Sequence, residues 1–224
     1  MRRIFGLLAA GIAASGQVMA SAGSADAFPD CPDIDVVFAR GTAEPPGVGW
    51  IGQQFVDALR WRVGPRSMGV YAVNYPAVRD FPPTVDGIVD AGNHIRDIAA
   101  VCPHTQIVLG GFSRGAALVG YVLEPSGPAP ALPPELVDDR VTAVVQLGKP
   151  SAVFLESIGA PPLRVDPRYA AKTIDLCAPG DPVCSAGGDD GAHSAYAANG
   201  MTVQAADFAA DRLRPPEIVP DQAI

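Results

Sequence analysis

Val108-Leu109-Gly110-Gly111-Phe112-Ser113-Arg114-Gly115-Ala116-Ala117-Leu118 is the stretch on which the reading of this chain turns. An apolar, β-branched run ends in Gly-Phe-Ser-Arg-Gly and passes directly into an Ala/Leu-rich segment with helical spacing. That predicts a strand, a sharp turn and a helix, with Ser113 on the turn. Glycines at 111 and 115 suit such a turn, because a Cβ there would collide with strand or helix. Gly-x-Ser-x-Gly in this setting presents a candidate nucleophile. The same residues also fit a serine that only caps a helix. The rest of the chain therefore has to supply a histidine, a carboxylate and oxyanion donors in a workable order.

Working outward, residues 34–39 form a short apolar run suited to a buried strand, and 50–63 carry Ile51, Phe55, Leu59 and Val63 at helical spacing. A second strand is expected at 70–74, and a helix capped by Thr84 runs to about Cys102. Residues 106–111 lead into the turn and 114–123 form the helix after it. A proline-rich connection from Pro125 to Pro134 precedes a strand at 141–147, and 159–167 read as a second proline-rich loop. A fifth strand follows at 172–176, and helical spacing resumes over 201–213 before Pro215-Pro216. Strands alternating with helices predict an α/β fold with a parallel sheet covered on both faces. Ligands in such sheets bind beyond the carboxyl ends of the strands.

The chain opens Met1-Arg2-Arg3, continues uncharged and apolar from Ile4 to Met19, and then offers small-residue cleavage points after Ala22 and Ala27. This predicts a secretory signal peptide over 1–27 and a single domain over 28–224. No other stretch approaches membrane-spanning length, so stable membrane insertion is not expected. A formal net charge of −8 argues against nucleic acid or an anionic membrane as main partner. Four cysteines in an exported chain predict two disulfides, with three pairings possible. Cys177 and Cys184 are near enough to staple one loop, which would leave Cys31 with Cys102. No Cys or His pair stands at ligand spacing, so neither a metal nor a cofactor is expected.

Three histidines compete for the role of base. His94 falls on the polar face of its helix near Asp90 and Asp97, which predicts a solvated residue. His104 precedes the strand that leads to Ser113, roughly 20–30 Å away at the wrong end of the sheet. His193 lies downstream in a loop that can return over the strand ends. For the carboxylate, Asp181 sits in Cys177-Ala178-Pro179-Gly180-Asp181-Pro182-Val183-Cys184, a loop that a disulfide and two prolines would hold in place. Asp175 belongs to the strand itself, while Asp189 and Asp190 read as solvated. Ser113, Asp181 and His193 then follow a known hydrolase order. The oxyanion donors are expected to be the backbone N–H groups of Arg114, at the helix start, and Thr42, in Arg40-Gly41-Thr42 after the first strand.

Together, residues 38–44 (Phe-Ala-Arg-Gly-Thr-Ala-Glu), 111–115 (Gly-Phe-Ser-Arg-Gly), the 177–184 loop, His193, Tyr75-Pro76-Ala77 and the four cysteines resemble the cutinases, notably cutinase-like proteins of actinobacteria. The resemblance runs from about Cys31 to Leu213. It implies a small three-layer α/β/α hydrolase without a lid, built on a five-stranded parallel sheet, with an exposed serine. It implies catalytic roles for Ser113, Asp181 and His193, an oxyanion hole at Thr42 and Arg114, and the pairs Cys31–Cys102 and Cys177–Cys184. The family turn is usually Gly-Tyr-Ser-Gln-Gly, whereas this chain has Phe112 and Arg114. An arginine sits poorly at a helix N-terminus, and the expectation is an exposed side chain pointing away. The alternative is a guanidinium that favours anionic esters.

The expected function is that of a secreted monomeric serine esterase acting on small-molecule or lipid-like esters. Residues 185–192 are small and acidic, and Phe81 is the one large apolar group expected on the rim. Soluble short- to medium-chain esters are therefore favoured over cutin-type polyesters. A lipase, phospholipase or thioesterase on the same site, or a catalytically silent binding protein, are the other readings.

Overall fold

Five runs of apolar and β-branched residues pair into one parallel sheet in the computed structural model, whose described residues are 31–78 and 85–215. The strands are β1 (Ile34–Ala39), β2 (Met68–Ala72), β3 (Gln106–Phe112), β4 (Val141–Leu147) and β5 (Thr173–Leu176), in the order β2-β1-β3-β4-β5. The three central strands are almost wholly buried. They read as continuous apolar runs rather than alternating ones because helices cover both faces. On one face α1 (Gly49–Val63) and α6 (Met201–Ala210) close over Phe38, Val108 and Val145. On the other, α2 (Val85–Val101) and α3 (Arg114–Leu123) close over Val37, Leu109 and Val144. Every residue of α3 is buried, which is why its sequence after Arg114 is apolar all round.

Register brings the carboxyl ends of the strands level. Ala39 lies opposite Gly111, Phe112 opposite Leu147, and Leu147 opposite Leu176. The segments leaving β1, β3 and β5 therefore start from one edge.

Two short helices that the sequence reading does not mark lie beside the proline-rich stretches. Pro134 opens a short helix, α4 (Pro134–Arg140), at a position where the missing N–H costs nothing. Ser151 accepts a hydrogen bond from the Phe154 N–H and starts α5 (Ala152–Ser157). β2 begins two residues before the expected strand, since Ile34 pairs with Met68. Disulfides join Cys31 to Cys102 and Cys177 to Cys184. The signal-peptide reading of residues 1–27, the Thr84 cap and the Phe81 rim lie outside the described residues.

Candidate active site

Ser113 sits between β3 and α3 with φ 54° and ψ −119°. Among the described residues only Ala43 shares a positive φ without being glycine. Such a conformation costs on the order of 1–3 kcal/mol and persists only where the surroundings impose it. Here they do. The Ser113 N–H donates to the Leu147 carbonyl at 2.8 Å, and the Ser113 carbonyl accepts from Ala116 N–H at 2.9 Å. A Cβ on Gly111 would lie 2.3 Å from the Gly115 carbonyl oxygen, and one on Gly115 would lie 1.9 Å from that of Ala39. Two glycines thus let strand, turn and helix approach closely around Ser113, which is buried at 9% exposure rather than the exposed serine that the resemblance implies.

His193 reaches that hydroxyl from a 3-10 turn, Ala192–Ser194, with Nε2 2.8 Å from Ser113 Oγ. Its Nδ1 stands 2.8 and 2.9 Å from the two carboxylate oxygens of Asp181. Asp181 has no exposed surface, and a buried carboxylate needs donors. It also receives the Val183 N–H at 2.8 Å and the Tyr196 hydroxyl at 2.6 Å. The turn that carries His193 is tied to the Asp181 loop through Asp189, whose N–H donates to Gly180 O and whose carboxylate accepts from Gly191 N–H. Asp189 therefore shapes the turn while its side chain stays exposed, and Asp190 is exposed. Asp175 pairs instead with Lys149 at 2.7 Å.

The segment after β1 is fastened from both sides. The Glu44 carboxylate accepts from Gly41 N–H at 2.5 Å and from Trp50 N–H at 2.6 Å, so it bridges the loop and the first turn of α1. Arg40 is buried, donates to the carbonyls of Glu44 and Tyr75, and lies over the Tyr75 ring. Ala43 N–H donates to Ala77 O at 2.6 Å. The amides on either side of Thr42 are thus engaged, while no described hydrogen bond uses the Thr42 N–H itself. The Phe112 ring fills the space between this loop and the base: a Cβ on Gly41 would strike it at 2.7 Å, and the His193 ring stacks on it at 5.0 Å.

Two side chains depart from expectation. Arg114 is only 2% exposed, with Nη1 donating to Val78 O at 2.6 Å on the loop after β2. Because α3 is packed on every side, its first side chain runs under that loop instead of outward, and burial lowers the guanidinium pKa from its ordinary value. The guanidinium is thus buried with Nη1 committed to Val78 O, rather than exposed and pointing away. His94 is not a solvated residue either. It meets Asp35 of β1 at 2.7 Å and stacks on Tyr71, while Asp90 is taken by the Tyr71 hydroxyl. Asp35, the one charge in an apolar strand, was the signal for this pair. His104 lies at the opposite strand ends, beside a cavity lined by Asp33, Arg66, Arg140 and Arg214.

The sequence reading quotes Arg40 and Glu44 in the 38–44 motif without giving them a role, and it leaves Tyr196 unmentioned. It also passed over Trp50, which is 75% exposed beside Pro45, Pro46 and Val48 at the edge where the candidate site lies. Helical spacing marks Trp50 only as the start of α1.

The cutinase family profile matches residues 30–213. The chain is 54% identical over 172 residues to the probable carboxylesterase Culp5 of Mycobacterium tuberculosis, covering 74% of this chain and 98% of that protein. It is 43% identical over 217 residues to the phospholipase Culp4 of the same species, covering 95% and 92%. Among solved structures it is similar to Trichoderma reesei cutinase in complex with a C11Y4 phosphonate inhibitor, with TM-score 0.63 and 33% identity over 83% of this chain and 78% of that one.

Proposed function

The chain belongs to the cutinase family and is a carboxylic ester hydrolase, and we propose that it acts as an exported serine esterase through an acyl-enzyme on Ser113. The observation that carries this reading is the unbroken run of contacts from Ser113 Oγ through both ring nitrogens of His193 to buried Asp181. His193 Nε2 takes the hydroxyl proton as Oγ bonds to the ester carbonyl carbon. The carbonyl oxygen becomes an oxyanion, held by the Thr42 and Arg114 amides. Asp181 keeps the imidazole in the tautomer with Nδ1–H and stabilises the imidazolium. Collapse expels the alcohol, which leaves with the proton from Nε2. Water, deprotonated by the same nitrogen, then releases the acid and restores Ser113. No metal or cofactor takes part in these steps.

The substrate class we favour is short- to medium-chain soluble esters. The rim from Ser185 to Gly191 is small, acidic and largely exposed. Trp50 and its proline neighbours add an apolar patch on the other side, but the hollow they line holds only about 220 Å³. The second reading, cleavage of phospholipid acyl esters, rests on the likeness to phospholipase Culp4. Export accords with two disulfides and with the apolar leader-like composition of residues 1–27.

The test compares wild type with Ser113→Ala on p-nitrophenyl esters of rising acyl length, beside phosphatidylcholine vesicles and a polyester emulsion. Ser113→Ala is expected to lose at least 10³-fold in kcat with its melting temperature unchanged. Full retained activity overturns the nucleophile. A rate maximum on vesicles or on emulsion overturns the substrate class alone.

A further inference from the structure

Tyr196 has no exposed surface, yet no step above uses it. Its hydroxyl lies within a shell of groups that all belong to the candidate site. It donates to Asp181 Oδ2 at 2.6 Å, accepts from the Ala178 N–H at 3.1 Å, and stands 3.3 Å from Cys184 Sγ in the disulfide that closes the Asp181 loop. Its ring packs edge-on against Phe112 and His193, with centroids 5.5 and 6.5 Å away. Room for the hydroxyl depends on Gly148, which has φ 59°, because a Cβ there would lie 2.9 Å from it.

Resting on the triad reading above, we infer that Tyr196 is a positioning residue for the esterase reaction, one that holds Asp181 through Oδ2 and sets how much carboxylate charge reaches His193. Three donors converge on the Asp181 carboxylate, from His193, Val183 and Tyr196. Donors to the ionised form keep a buried carboxylate charged. The tyrosine hydroxyl also stays a donor across the working pH range, since burial and the Asp181 bond both push its pKa upward. The groups around it that carry charge or titrate are Asp181, His193 and, farther away, Asp175.

Hydrogen bonding to Tyr196 draws negative charge toward Oδ2 and away from the imidazolium. Removing the hydroxyl therefore has two effects of opposite sense. More carboxylate charge is left to stabilise protonated His193, which raises the pKa of the base. The carboxylate also loses one anchor, which lowers the fraction of enzyme with the imidazole aimed at Ser113. A tyrosine that only fills space would do neither.

Tyr196→Phe keeps the ring and deletes the oxygen, and it separates the two roles. Wild type is first labelled with a fluorophosphonate; failure to label at Ser113 refutes the triad reading itself, independently of Tyr196. With labelling established, the variant is expected to lose about tenfold in kcat at unchanged KM. The acid limb of its kcat/KM profile should move up by about 0.5–1 pH unit. An unaltered kcat and limb overturn the inference, and so does a lowered melting temperature with both unaltered. If the variant folds poorly, enzyme labelled throughout with 3-fluorotyrosine replaces it. The more acidic phenol should move the limb down, and an unmoved limb overturns the inference.

Discussion

Gly115 sets how close a helix may come to the strand beside it. Its missing Cβ would fall 1.9 Å from Ala39 O and 2.6 Å from Arg40 O, both backbone atoms that cannot swing aside. Gly115→Ala is therefore expected to lower stability by about 3 kcal/mol or more, read as a fall in the urea midpoint. Gly188→Ala, where a Cβ meets open space, should stay within about 0.5 kcal/mol of wild type. At this scale the sequence was informative where chemistry and spacing coincided. The structure brings Ser113, Asp181 and His193 into contact; the serine was marked by its glycine-flanked turn, the aspartate by its cysteine-bounded loop, and His193 as the one histidine downstream of both. Tyr196 was not legible: a tyrosine in an Ala/Asn/Gly loop has no period to mark it, and its partner is another loop residue. The direction of Arg114 was equally hidden, since it depends on what covers the whole of α3.

Strand starts show how elements are pinned. Asp33, just before β1, and Ser67, just before β2, exchange hydrogen bonds: Ser67 N–H and Oγ–H donate to Asp33 Oδ2 at 2.7 and 2.8 Å, and Asp33 N–H donates to Ser67 Oγ at 2.9 Å. The Ser67 hydroxyl and amide hold the Asp33 carboxyl below its ordinary pKa. A carboxylate with a lowered folded-state pKa stabilises the protein above its unfolded value, and the gain fades as pH falls through the folded one. The site is open to solvent, which limits the gain to well under about 1 kcal/mol. Asp33→Ala should thus melt about 2 °C below wild type at pH 7, a gap that narrows between pH 4 and pH 2. Equal gaps at both ends would exclude the charge as its source. Elements with a clear period, α1, α3 and β1, were legible to within a residue or two. The short α4 and α5 were not, because six or seven residues around prolines give too few turns for a period to show.

For the molecule as a whole, the two disulfides do different work. Cys31–Cys102 spans 71 positions and encloses β1, α1, β2 and the whole of α2. Closing so long a loop stabilises by about 4 kcal/mol in the chain-entropy model, against about 2.5 kcal/mol for the seven-position Cys177–Cys184 loop. The double variant Cys31→Ser/Cys102→Ser is expected to melt about 8–16 °C lower in scanning calorimetry while keeping most of its esterase rate at 25 °C. Loss of rate without loss of melting temperature would contradict that division. The architecture was legible from the alternation of strands and helices. The pairing order was not, because β1 lies between β2 and β3, and no local pattern says which strands meet.

That order along the chain also governs timing. The serine arrives on the third strand, but the carboxylate and imidazole come only after the fifth. With His193 as the proposed base, a chain still being made, or cut short before it, carries Ser113 as an ordinary alcohol. On the acyl-enzyme mechanism proposed above, esterase activity begins only once β5 has docked beside β4 and the last loops have folded back across the edge. In an exported chain the closing of Cys177–Cys184 follows later still, in an oxidising compartment, and fastens the loop that holds Asp181.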